Sequence, residues 1–303
     1  MLAQCRLQFA ILCASAVGLG GCATTQNMTQ LGPAHLRAPI KTLVVESPIS
    51  MDPDRLQAVV APDMKPGLPA SAGRIVQGRM HAQKYARASM EEALGKQARL
   101  ELVAPTANES QVIEIVRGKK FQSAITQDEA NQLRAATGAD ALLRFGITDY
   151  GLTPTSWRKG YIAFEVASTL GIGAAIAYSG SAAAKAAAGA YLAQEAVEES
   201  AEAYAGFRAL DVVSRPVRIE AALVRLNPVA TLWETSDTGL SDMSLSRLTR
   251  KVSAIERNNQ LDQSTKKAID AVVSELAHAA ETIELPAARS SPNAEPIKHI
   301  DSQ

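Results

Sequence analysis

The sequence predicts an α/β protein: a mixed sheet of about five strands covered by helices, with an Ala- and Gly-rich helical hairpin inserted into it. Three observations predict it. Short β-branched runs alternate with stretches whose apolar residues recur at helical spacing. Asn227-Pro228-Val229 separates two β-like runs and marks an antiparallel hairpin. Aromatic residues make up only 4% of the chain while Ala is abundant, which favours helix and close packing over an all-β sandwich.

The elements follow in order. Lys41–Ser47 is short and β-branched, a buried strand. Pro48, Pro53, Pro62, Pro66 and Pro69 make residues 48–81 a long surface excursion, with a helical turn at Arg55–Val60. Ala82–Arg99 is a helix by its stripe of Ala86, Met90, Ala93, Leu94 and Ala98. Leu100–Ala104 is a strand that Pro105 stops. Thr126–Thr137 is a helix that Thr126 and Glu129 cap as a box and Gly138 ends. Ala139–Tyr150 is a third strand. Val217–Leu226 and Ala230–Ser236 pair as the hairpin, with Asn227 at the first turn position and Pro228 at the second. Asp262–Ile283 is the closing helix, with Ile269, Val272, Val273, Leu276, Ala280 and Ile283 on one face. The tail, 286–303, is rich in Pro and Ser and is expected to be disordered. The domain therefore spans 41–285.

The insert occupies roughly 160–206. Its first arm, Tyr161–Tyr178, is apolar but contains Glu165. Its second, Ala182–Ala193, is mainly Ala with Lys185 inside, and as a helix it spans about 18 Å against a hydrocarbon core of about 30 Å. Small residues recur at spacing four: Gly171 with Ala175, Gly173 with Ala177, and Ala182 with Ala186 and Ala190. Such rows let helix backbones approach closely. The expectation is a hairpin packed against protein, these residues forming a helix-packing or oligomer contact.

The amino terminus has the layout of an export signal. Arg6 is followed by a charge-free run, Leu7–Leu19, too short for an ordinary membrane span of about 20 residues. Small residues and a cysteine follow, Leu19-Gly20-Gly21-Cys22. This tetrapeptide resembles the lipobox of bacterial lipoproteins. The resemblance implies diacylglyceryl transfer to the Cys22 sulfur, removal of the signal 1–21 just before it, and acylation of the freed amine. Residues 22–40, with Gly32, Pro33 and Pro39, are then a lipidated tether. Ala23 after the cysteine implies outer-membrane sorting, with the domain facing the periplasm. Cys5 and Cys13 lie inside the signal, so a mature chain with an alkylated Cys22 has no thiol for a disulfide, a metal or catalysis.

Composition narrows the function. The chain carries 31 basic and 31 acidic residues and has no net charge, which argues against nucleic acid held by net charge. His35, His81, His278 and His299 form no close pair of metal-ligand spacing. No Gly-x-Ser-x-Gly elbow occurs, and Gly171-Ile172-Gly173 lacks the third glycine of a dinucleotide fingerprint. Asp140 and Asp149 read as strand-end polar residues, Tyr150 and Trp233 as packing residues, and Arg117-Gly118-Lys119-Lys120 as a solvated loop. The expectation is a protein with no catalytic residue, no metal and no cofactor.

Two stretches carry a resemblance. Gly138-Ala139-Asp140-Ala141-Leu142-Leu143 runs to Asp149-Tyr150-Gly151, and the hairpin ends in Thr231-Leu232-Trp233-Glu234. They resemble the small α/β domain of envelope lipoproteins such as the curli secretion channel subunit and the outer-membrane activator of a peptidoglycan synthase. In those families the hairpin turns through Asp and Gly, where Asn227-Pro228-Val229-Ala230 stands here. The resemblance implies a non-catalytic assembly or regulatory factor that binds an envelope protein or itself. The alternative it implies is an oligomeric outer-membrane pore or secretion-channel subunit.

Overall fold

The structure is a computed structural model that describes residues 38–63, 69–104, 110–161 and 204–283. It confirms the α/β class. Five strands form one mixed sheet: β1 (Ile40–Glu46), β2 (Leu100–Val103), β3 (Ala141–Tyr150), β4 (Val217–Leu226) and β5 (Val229–Gly239). Their order is β2-β1-β3-β4-β5. β1 runs parallel to β2 and β3, while β4 runs antiparallel to both of its neighbours, β3 and β5.

Helices cover both faces. α1 (Pro53–Val60), α2 (Pro69–Leu94) and α5 (Ala254–Ala280) lie on one side, α3 (Ser110–Arg117) and α4 (Gln127–Thr137) on the other. Strand periodicity assigns the side chains. Ala141, Leu143, Phe145 and Ile147 of β3, with Val217, Ile219, Ala221 and Leu223 of β4, meet Met90 and Leu94 of α2 and Ile269, Val272 and Leu276 of α5. Leu43, Val45, Leu142 and Leu226 point the opposite way and meet Ile113, Val116, Ala130 and Leu133. Tyr150 is buried and Trp233 packs half-buried on the larger core, as packing residues should.

Several expectations need correction. The helix expected at 82–99 starts at Pro69 and stops at Leu94. Pro69 opens it, a first-turn position that needs no backbone N–H, so the proline marks a start where a loop was expected. Gly95 follows its last turn and leaves Ala98 outside. The turn expected at 55–60 is a capped helix: the Asp52 carboxylate accepts from the amides of Asp54 (2.9 Å) and Arg55 (3.2 Å). α3 was not expected, because Val112, Ile113, Ile115 and Val116 are β-branched. Burial of Ile113 and Val116, one helical turn apart, overrides that propensity. The closing helix starts eight residues early, on a Ser253 cap that accepts from the Glu256 amide (3.1 Å). β5 reaches Gly239, and α5 crosses it so closely there that a Cβ would run into the Ser264 and Ala268 backbone. The register pairs Leu226 with Val229, so Asn227 and Pro228 are the two central turn residues, joined by a cis peptide. The Thr126–Glu129 capping box and the left-handed Gly138 stand as expected.

One buried charge holds the second face together. Arg144 of β3 is 3% exposed. It donates to the carbonyls of Ser123 (2.6 Å), Lys120 (2.8 Å) and Lys119 (3.4 Å) and to Ser47 Oγ (3.3 Å). The loop between α3 and α4 is thereby stitched to the sheet. Burial pushes the guanidinium below its ordinary pKa. Arg144→Met should leave those carbonyls without a donor and cost about 2–4 kcal/mol in urea denaturation.

Candidate anion-binding cleft

Asp211 prepares one end of the molecule. Its buried carboxylate accepts from the Thr153 amide, from Thr153 Oγ1 (2.6 Å) and from Arg158 Nη2 (2.8 Å). This ties the helical segment 204–213 to the segment 155–161, the two described flanks of the predicted insert. Tyr161 meets Phe207 edge to face with centroids 5.7 Å apart, and Arg158 lies over the same ring at 5.6 Å. Both flanks therefore leave the domain from one point. That point is the end of the sheet where β3 finishes and β4 begins.

A cleft of about 540 Å³ opens beside it. The 204–213 segment supplies Arg208 and Val212, and the linker before β4 supplies Arg215. The stretch between β5 and α5 supplies Arg247, Leu248, Arg250 and Lys251, and the first turn of α5 supplies Arg257. Asp63 is the one carboxylate of the lining among the described residues.

The cations fall into two sets. Arg247 is structural: it donates to the carbonyls of Val213 (2.7 Å) and Asp242 and to Glu256 (3.0 Å). Arg250 grips the same Glu256 with both terminal nitrogens, at 2.5 and 2.7 Å. These hydrogen bonds pull the Glu256 carboxyl down to about 2, so it stays ionised. Arg208, Arg215, Lys251 and Arg257 form no salt bridge among the described residues.

Arg215 is the odd member. Its backbone is left-handed, at φ 44°, uncommon for a residue with a Cβ. Its Nε is buried without a hydrogen-bond partner among the described residues. Burial first, then the nearby Arg257 and Arg247, push its pKa down to about 10, with Asp211 opposing them in part. It stays charged at neutral pH, against the preference of its surroundings. An anion in the cleft would relieve that conflict, and the N-terminal end of α5 adds positive potential.

The remaining candidates have partners. Asp149 is buried and ion-pairs with Arg55 (3.3 Å), joining α1 to the end of β3; burial raises its pKa. Arg117 pairs with Glu114, and Lys119 with Glu129 (2.5 Å). His81 meets Asp262 (3.1 Å) on the surface. Among the described residues no cluster of three or more His, Cys, Asp and Glu side chains could hold a metal, and no helix is long and apolar enough to cross a membrane. Leu19, Gly20, Gly21 and Cys22 lie outside the described residues, as do Gly171, Gly173, Ala175, Ala177, Ala182, Ala186 and Ala190. The sequence reading missed the cleft, because its residues come from separate segments. The density of Arg247, Arg250, Lys251 and Arg257 was the available signal.

No protein-family model matches this chain, and no curated protein does. Among solved structures it is similar to the hypothetical protein CT253 from Chlamydia trachomatis, at 9% identity and a TM-score of 0.34, covering 79% of this chain and 98% of that one. It is also similar to the lipoprotein GNA1162 from Neisseria meningitidis, at 14% identity and a TM-score of 0.33, covering 79% and 99%. Scores this low transfer neither protein's properties to this chain. Neither is, by name, a curli channel subunit or a peptidoglycan-synthase activator.

Arg215→Met removes a desolvated, unpaired charge and keeps the side-chain stem. Its Tm should equal or exceed that of the parent protein. Tripolyphosphate at ten times its Kd should raise the parent's Tm by roughly 3–5 °C, since such an excess contributes about 1.4 kcal/mol. The variant should respond much less in the same thermal-shift measurement.

Proposed function

We propose that this chain is a lipid-anchored protein of the bacterial envelope that binds and does not catalyse. Acyl chains on Cys22 hold it in the outer membrane, and the domain faces the periplasm. The cleft takes an anionic group of its partner. The anchor rests on Leu19-Gly20-Gly21-Cys22, placed directly after the charge-free run. One acyl chain binds a membrane only reversibly, whereas two or three on one cysteine make the attachment lasting.

The binding role is carried by one observation: among the described residues, four cations without salt bridges line a cleft with a single carboxylate. Such a lining offers charge and N–H donors to an anion. Among the described residues it presents no histidine, thiol or paired carboxylates for proton transfer or nucleophilic attack. The insert, with Gly171, Gly173, Ala175 and Ala177 on one arm and Ala182, Ala186 and Ala190 on the other, is proposed to contact protein through its small-residue rows.

Anchor and binding are separable by experiment. Cys22→Ser should block processing, so the protein retains its signal; normal cleavage into a soluble periplasmic form would end the lipoprotein reading. Arg208→Glu with Arg257→Glu should leave lipidation intact. The double variant should lose the partner that the parent protein retains on pull-down from detergent-solubilised membranes. A large ring on sizing would replace this reading with a channel subunit.

A further inference from the structure

Exposed apolar side chains gather where the cations do. The described residues contain eight exposed large hydrophobics, and five of them lie at the cleft end: Tyr204, Met243, Leu245, Leu248 and Ile255. Leu245 and Ile255 are each 76% exposed, and Leu248 is also part of the cleft wall. Four of the five fall within residues 243–255, the stretch that also carries Arg247, Arg250 and Lys251. Elsewhere the described surface exposes, of such residues, only Val76 and Met80, one turn apart on α2, and Ile115 on α3.

We propose that this end of the molecule docks on an anionic lipid surface, with Leu245, Leu248 and Ile255 entering the headgroup region and Arg208, Lys251 and Arg257 on lipid phosphates. The inference rests on the reading of the cleft as an anion site and names the anion's source. Apolar side chains interleaved with Arg and Lys are the chemistry of interfacial binding: the apolar part gains from burial among acyl chains, and each cation gains from the negative surface potential. A soluble phosphate ligand would account for the cations and leave the apolar ring unexplained. The 3-10 turn Leu245–Leu248 that presents the ring is held by Arg247, so it keeps its shape at the surface.

The anchor permits this orientation. β1 starts at the opposite end of the sheet, beside Leu100 and the start of β3. Residues 22–39 can span roughly 60 Å when extended, while a ten-residue strand such as β3 is about 33 Å long. The tether is therefore long enough for the cleft end to reach the membrane that holds Cys22.

The mature chain has no free thiol, so a single introduced cysteine can be labelled uniquely. The experiment takes the lipidated Ser246→Cys protein, labelled with a polarity-sensitive fluorophore and reconstituted into vesicles. One set is phosphatidylcholine alone, and the other contains phosphatidylglycerol. Asp128→Cys, on α4, serves as the distant control. On phosphatidylglycerol vesicles the label at 246 should shift to the blue and lose acrylamide quenching; the label at 128 should do neither. High salt should reverse the change, because it shortens the Debye length. Arg208→Glu with Lys251→Glu should abolish it, as should Leu245→Ser with Leu248→Ser. A label at 246 that stays as accessible on anionic vesicles as in detergent overturns the proposal. If tripolyphosphate still stabilises that protein through Arg215, the cleft binds a soluble anion or an acidic partner, and only the docking falls. If it does not, the anion reading falls as well.

Discussion

Burial of β3 on both faces is the constraint from which the rest of the architecture follows. Nine of its ten residues are buried, the exception being half-buried. A strand in that position must find helices on two sides, parallel and antiparallel neighbours on its two edges, and a partner for every polar group it carries inward. α2 and α5 meet the first face and α3 and α4 the second. β1 and β4 take its edges. The two ends of β3 then define the two poles of the molecule, with the chain entering β1 at one and the cleft lying at the other.

The same burial explains how charge is distributed. Arg144 and Asp149 both sit on β3, and each is met: Arg144 by loop carbonyls, Asp149 by Arg55. Asp211, just outside the sheet, has three donors. These groups spend their charge on holding segments in place. Arg215 differs in its surroundings, since the nearby Arg257 and Arg247 oppose its charge and Asp211 offsets them only in part. The conflict among these like charges lies at a surface opening. The left-handed backbone of Arg215 and the like charges around it, more than the number of cations, distinguish the cleft from an ordinary charged surface.

Most of the sheet was legible in the sequence because strand runs such as Leu43–Val45 and Ala141–Phe145 carry their own β-branched or alternating signal. Local chemistry was legible too: the Thr126–Glu129 box and Gly138 need only a few residues to act. α3 was illegible because its residues favour strands singly and become helical only through the contacts of Ile113 and Val116. The first half of α2 was masked by prolines and glycines that break helices in their interiors but not at their starts. The cleft was hidden for a different reason. Arg208, Arg215, Arg250 and Arg257 meet only because β4 and β5 return the chain to the same end. The visible basic run at Arg117–Lys120 is, by contrast, engaged with Glu114, Glu129 and the Arg144 side chain.

The knot of Asp211, Thr153 and Arg158 has a consequence for how this protein can change. It fixes the departure and return of the chain at one point, so the two ends are held together by contacts of the flanks themselves. Once the ends are held, doubling the length of a flexible connection costs only about 0.6 kcal/mol in closure entropy. A change in the length of the segment between the flanks therefore adds little closure cost to the domain. The neck is a socket: it holds both ends of whatever segment is plugged into it.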